Sequence, residues 1–279
     1  MPRRPSRSFP SRAGRPRLAA SKRRGTPRTP PASVRRFEAE VVPGLQGIAA
    51  AELAAFPHLS LEPLAGEVDR LDAVRFSLAP GAAVPHGART VTAVQRLLTF
   101  DVPRPKALLG DAVLRTLLTE LRATVDQAAA RGEAFHALRL EAAGRDSAVL
   151  QRLAAALAGA AGVPEGADGD LKVRVRPSAL GHGWDVLIRT TSRPLSARTW
   201  RVANLPGGLN ACVAAAIWRE TGVEPRERVL NLMCGSGTLL IERALLGPAA
   251  RLVGVDLDPA ALAATRANAE AASARIDVI

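Results

Sequence analysis

Apolar and polar positions change period several times along this chain, and each change predicts an element. Phe37–Val42 reads as a strand broken by Pro43-Gly44, after which Leu45, Ile48, Leu53 and Phe56 recur at helical spacing up to Pro57. Residues 72–78 predict a second strand. Thr90–Phe100 is a continuous apolar run whose period does not decide between helix and strand. Asp111 is placed to cap an amphipathic helix with Leu114, Leu117, Leu118, Leu121 and Val125 on one face. Phe135–Leu140 predicts a strand, and residues 147–161 an alanine-rich helix.

Strict alternation appears at Leu171-Lys172-Val173-Arg174-Val175-Arg176. A strand there sends Leu171, Val173 and Val175 to a core and the three cations to the opposite face. Pro177–Gly183 then turns the chain and Trp184–Thr190 returns it. Beyond Leu205 the texture becomes that of alternating helices and strands. A helix with Leu209, Val213, Ala216 and Ile217 inward ends at Gly222, and a strand follows at Val229–Leu232. A glycine loop then opens a helix reaching about Leu246. Arg251–Val255 is the next strand, Asp258 with Pro259 starts a helix, and Asp277-Val278-Ile279 begins a third strand. A β-α-β-α-β order of this kind opens a doubly wound α/β domain.

Charge divides the chain differently. Residues 1–36 hold 12 of the 38 Arg and Lys residues and no acid, which leaves 26 basic and 26 acidic groups in the remainder. This Pro/Ser/Gly-rich tail is too poor in apolar side chains to offset the entropy of ordering, so disorder is expected there. A polycation of this kind attracts polyphosphate through counterion release, and it serves equally as a solubilising or targeting extension. Arginines outnumber lysines by 35 to 3, a compositional bias, so the choice of one cation over the other carries no argument by itself. No run approaches the roughly 18 apolar residues of a membrane span. Cys212 and Cys234 stand in unlike settings, which suits a reduced intracellular, cytoplasmic protein. The four histidines have no ligand spacing, so no metal site is expected.

The chemistry concentrates in Cys234-Gly235-Ser236-Gly237-Thr238. A strand entering Gly-x-Gly and leaving as a helix lets backbone amides approach a ligand at a helix start. Asp256, 21 residues after Gly235 at the tip of the next strand, is placed to accept both hydroxyls of an adenosine ribose. A dinucleotide fingerprint would have glycine where Leu240 stands, and a P-loop would have a lysine that is absent. S-adenosylmethionine (SAM) has no pyrophosphate and needs neither. Lys172, Arg174 and Arg176, followed by Arg189, Arg193, Arg198 and Arg201, make either a phosphate-tracking surface or an ordinary solvated sheet face.

Asn231-Leu232-Met233-Cys234-Gly235-Ser236-Gly237-Thr238, with Ile241-Glu242 after it, resembles the cofactor motif of the THUMP-associated RNA methyltransferases, whose usual form begins with Asp. Gly254-Val255-Asp256-Leu257-Asp258-Pro259 resembles their second motif, and Asn268 falls where that family often has Asn. Arg193-Pro194-Leu195-Ser196, with Arg198 and Arg201, is similar to the family's junction between its two domains. The resemblance implies an α/β architecture: a disordered basic tail (1–36), an α+β THUMP-like RNA-binding region (37–202), and the first part of a Rossmann-like class I methyltransferase domain (203–279). It implies SAM as cofactor, held by Asn231, Met233, the loop 234–238, Glu242, Asp256 and Leu257. It implies RNA, with a guanine of tRNA or rRNA as acceptor, gripped by Lys172, Arg174, Arg176, Arg193 and Arg198. The family's Asp/Asn-Pro-Pro-Tyr/Phe motif does not occur in the 279 residues. The resemblance therefore implies either an enzyme whose catalytic motif lies beyond this sequence or an RNA-binding protein with a vestigial cofactor domain.

Overall fold

A computed structural model describes residues 34–62, 72–179 and 181–279. The expectation of disorder over residues 1–36 falls almost wholly outside them. The first half of the chain builds one mixed sheet. Its strands are β1 (Arg35–Val41), β2 (Leu59–Leu61), β3 (Ala73–Leu78), β4 (Val91–Phe100), β5 (Leu138–Ala142), β6 (Leu171–Pro177) and β7 (Trp184–Arg189), in spatial order β2-β3-β1-β4-β7-β6-β5. All pairings are antiparallel except β5 with β6.

Three helices cover one face: α1 (Gln46–Ala54), α2 (Asp111–Ala129) and α3 (Ala148–Ala161). Under α1 lie Phe37, Ala39, Phe76, Leu78 and Val94, with the Phe37 and Phe76 rings stacked 5.5 Å apart. Under α2 and α3 lie Leu98, Phe100, Val173, Val175, Val186 and Ile188. Leu117 and Leu121 form the buried spine of α2, with Leu114, Leu118 and Val125 partly buried beside them. Asp111 itself is the first helical residue. Gly110 occupies the cap position and no side chain caps this end.

The undecided run at Thr90–Phe100 is β4, the central strand. Its lack of alternation has a physical cause: both faces are buried, Val94, Arg96 and Leu98 toward the helices and Gln95 and Leu97 toward the other face. Arg96 is held there by Glu120 of α2 (2.8 Å) and by the carbonyls of Arg36 and Leu97.

The second half builds a three-stranded parallel sheet, β10-β9-β8, from β8 (Arg228–Leu232), β9 (Arg251–Val255) and β10 (Asp277–Val278). Its helices are α4 (Ala211–Thr221), α5 (Thr238–Ala244) and α6 (Pro259–Ala271). Asp258 caps α6, its Oδ1 accepting from the Ala260 amide at 2.8 Å. Of the residues expected inward on or just before α4, Ala216 is buried and Val213 half-buried, while Leu209 and Ile217 are exposed. The rest of the buried face is small: Ala211, Cys212, Ala214 and Ala215. The small face admits close neighbours, and the Cys212 thiol reaches the Val91 carbonyl of β4. Burial pushes that thiol up to about 11, so it remains protonated.

The two halves are joined by buried charge. Glu242 on α5 has no exposed surface, and its oxygens accept from Arg89 Nε at 2.8 Å and Arg198 Nε at 2.9 Å. Glu52 on α1 accepts from the Arg89 and Thr90 amides and from Arg219 of α4. Among the described residues no helix is long and apolar enough to cross a membrane, and no cluster of His, Cys, Asp and Glu could hold a metal ion.

Candidate functional site: a glycine loop at the ends of two parallel strands

The loop between β8 and α5 sits where the C-terminal ends of two parallel strands diverge, the place open α/β sheets offer to ligands. Three residues make its turn: Met233, Gly235 and Gly237 all have positive φ, at 58°, 57° and 78°. A side chain at Gly237 would force Thr265 to shift, since a Cβ there would meet Thr265 Cγ2 at 2.9 Å. A Cβ at Gly235 would meet nothing within 4 Å, so the open side of the turn faces free space.

Four side chains hold this shape. Asp256 Oδ2 accepts from the Gly235 amide at 2.8 Å, and its Oδ1 accepts from the Asp258 amide at 3.0 Å. These amide bonds hold the Asp256 carboxyl below the usual carboxylate range, so it is ionised, and each oxygen keeps a free lone pair. Thr265 Oγ1, on α6, donates to the Gly235 carbonyl at 2.8 Å. Asn268, one turn further along α6 and wholly buried, uses its full capacity. Its Oδ1 accepts from the Val202 and Ala203 amides, and its Nδ2 donates to the Ala203 and Ser236 carbonyls. Arg201 donates to Thr238 Oγ1 and the Leu209 carbonyl, both at 2.8 Å.

The residues named from sequence separate into two groups. Met233 and Leu257 stand out at the ends of β8 and β9, 85% and 100% exposed, with the Asp256 carboxylate and the open side of Gly235 nearby. Asn231 is half-buried on β8. Large apolar side chains this exposed beside a carboxylate and a bare backbone turn fit an amphipathic ligand with a ring and hydroxyls. Cys234, Ser236 and Thr238 face inward and shape the loop. Glu242 is buried, with both oxygens bonded to arginines, so it joins the two halves of the molecule and is not available to a ligand. Thr265 was not anticipated. The signal was present, because Thr265 and Asn268 are three apart on a helix and therefore share the face turned to the loop.

The cations are placed less simply. On the sheet face opposite the helices, Arg174 pairs with Glu40 (2.7 Å) and Glu141 (3.0 Å), Arg176 with Glu38 and Asp185, and Lys172 with Glu141 (3.6 Å). The alternation of β6 thus gives a layer of interlocked charges rather than a bare cationic stripe, although Lys172 and Arg174 remain partly exposed. Arg198 is nearly buried and donates to Glu242 and to the Leu195 and Arg89 carbonyls. Arg193 is exposed, and its guanidinium has no partner among the described residues.

Comparisons with known proteins show what this fold and loop are similar to. Residues 198–278 match the family described as the RMKL-like methyltransferase domain (UPF0020). A tRNA (guanine(6)-N2)-methyltransferase of Thermus thermophilus is 38% identical over 122 residues, 42% of this chain and 35% of that protein. A ribosomal protein L11 methyltransferase of Ralstonia pickettii is 53% identical over 53 residues, 19% of this chain and 17% of that protein. The crystal structure of TrmN from Thermus thermophilus superposes with a TM-score of 0.60 at 26% identity, covering 88% of this chain and 72% of that one. The stretches matched in the two sequence relatives are about a third and a sixth of those proteins.

Proposed function

We propose that this chain is the RNA-binding and cofactor-binding portion of a SAM-dependent methyltransferase that acts on a guanine amine of tRNA or rRNA in the cytoplasm. The short, high-identity likeness to a protein methyltransferase covers 53 residues and carries no information about the acceptor. The observation that favours RNA is the likeness to TrmN. It covers 88% of this chain, which is possible only if it includes the seven-stranded sheet as well as the glycine loop. That sheet, with its helices on one face and charge on the other, is the part we read as THUMP-like.

Within this reading, SAM supplies an electrophilic methyl group on a sulfonium. The residues of this chain bind and orient. The Asp256 carboxylate accepts the ribose hydroxyls with the lone pairs left by its two amide bonds. Leu257 and Met233 cover the apolar parts, and the open side of Gly235 admits the methionine chain. Asn231, where an acid is usual in the family it resembles, offers the ammonium an amide oxygen, a weaker acceptor than a carboxylate. Thr265, Asn268 and Arg201 hold the loop so that little reorganisation accompanies binding.

Calorimetric titration of SAM and of a tRNA transcript into the 279-residue chain tests the proposal. Binding of both is expected. Binding of RNA without SAM would leave an RNA-binding protein with a vestigial cofactor domain, and binding of neither would remove the proposal altogether.

A further inference from the structure

A cleft of about 300 Å³ opens where the segment joining the two sheets passes the start of α4, lined by Arg193, Ser196, Arg198, Arg201, Asn204 and Asn210. It shares a wall with the glycine loop. Arg201 is bonded to Thr238, and a Cβ at Gly208 would lie 3.8 Å from Ser236 Oγ. We propose that this cleft binds a phosphodiester of the RNA strand delivered to the methyl-donor loop, with Arg193 as its free contact. The inference rests on the functional reading above and adds a place for the strand to be held.

Charge carries the argument. Three guanidinium groups line the cleft, and a fourth, Arg89, shares Glu242 with Arg198. Glu242 is the carboxylate that Arg198 and Arg89 both engage, and no carboxylate is among the residues that line the cleft beside its three arginines. The Arg193 guanidinium has no partner among the described residues. Arg201 has a buried Nε without a hydrogen bond, and burial with Arg198 nearby pushes its guanidinium below the usual value against the pull of Glu242. The amino end of α4 adds its partial positive charge on the same side. Such a surplus attracts an anion. SAM, with a sulfonium and an ammonium against one carboxylate, is a net cation and is repelled. A phosphodiester carries an uncompensated negative charge and suits an arginine fork. Ser196, Asn204 and Asn210 supply further polar groups of the kind that contact phosphate oxygens.

The test measures binding of a fluorescein-labelled RNA hairpin by anisotropy over a range of KCl concentrations, alongside SAM calorimetry on the same preparations. The 279-residue chain is compared with Arg193→Ala, Arg193→Glu and, for an equal change of charge outside the cleft, Arg115→Glu on α2. We expect Arg193→Glu to weaken RNA binding about tenfold and both Arg193 variants to lower the log–log salt slope by about 1, with SAM affinity unchanged. Arg115→Glu should do distinctly less. Unchanged RNA affinity and slope in Arg193→Glu, with SAM still bound, would overturn the cleft assignment and leave the methyltransferase reading standing. An equal loss in Arg115→Glu would reduce it to bulk charge and overturn it as well. A fall in SAM affinity without a fall in RNA affinity would assign the cleft to the cofactor's carboxylate and refute the proposal. If the unsubstituted chain binds SAM but no RNA, the cleft assignment and the RNA substrate fall together.

Discussion

Replacing Glu242 by Gln removes one charge from the junction of the two sheets while keeping its shape. The carboxylate is wholly buried and receives Arg89 Nε and Arg198 Nε at 2.8 and 2.9 Å. Breaking a buried pair by neutralising one partner costs about 3–5 kcal/mol, because the other charge is left uncompensated. Here Arg198 is 8% exposed and keeps two carbonyl partners, while Arg89 is 23% exposed and can reach water. The lower end, about 3 kcal/mol, is therefore the better figure. For a protein of this size that corresponds to a fall in Tm of about 6–12 °C. Scanning calorimetry reads the shift, and a broadened or split transition is expected if the halves unfold separately. SAM calorimetry on the folded variant should show affinity within about threefold of the parent. A Tm within about 2 °C of the parent, or a large loss of SAM affinity with the fold intact, would refute the assignment of Glu242 to the junction.

Three other outcomes follow from the same geometry. Gly237→Ala puts a methyl group against Thr265 at a positive φ, and should cost about 1–3 kcal/mol in chemical denaturation and weaken SAM binding. Asn268→Ala leaves the Ala203 amide and two carbonyls without partners, and the Val202 amide with the Trp200 carbonyl alone, so a loss of about 2–4 kcal/mol is expected, together with faster amide exchange at 203. His86 is lowered to about 4 by burial and by Arg131, with Glu133 opposing, and stays neutral when folded. Its contribution, about 3 kcal/mol, is present above pH 6.5 and lost as pH falls toward 4, and His86→Asn should flatten that part of a stability–pH curve.

What the sequence made legible depended on whether one face of an element is wet. The alternation at Leu171–Arg176 identified β6 correctly because one of its faces is core and the other charged. β4 was illegible because it is buried on both sides, and its polar residues are satisfied by partners far away in sequence. On α4, Ala216 was placed inward correctly but Leu209 and Ile217 were not, because the buried face is built of small residues. At the loop, Gly235, Gly237 and Asp256 were readable from spacing, since strand, turn and strand fix their relation. The bonds from Glu242 to Arg89 and Arg198 were not, because no local pattern tells a charge that meets a ligand from one that meets another domain. The same limit applied to the cations of β6, whose partners Glu38 and Glu40 lie far away along the chain.

Titration of SAM into the full chain and its Asp256→Ala variant tests most directly whether the loop at 234–238 and Asp256 form a SAM site. The variant loses the charged acceptor assigned to the ribose hydroxyls, so binding should be stoichiometric in the parent and weaker by about tenfold or more in the variant. No binding to the parent, or equal binding to both with the variant folded, would contradict the account.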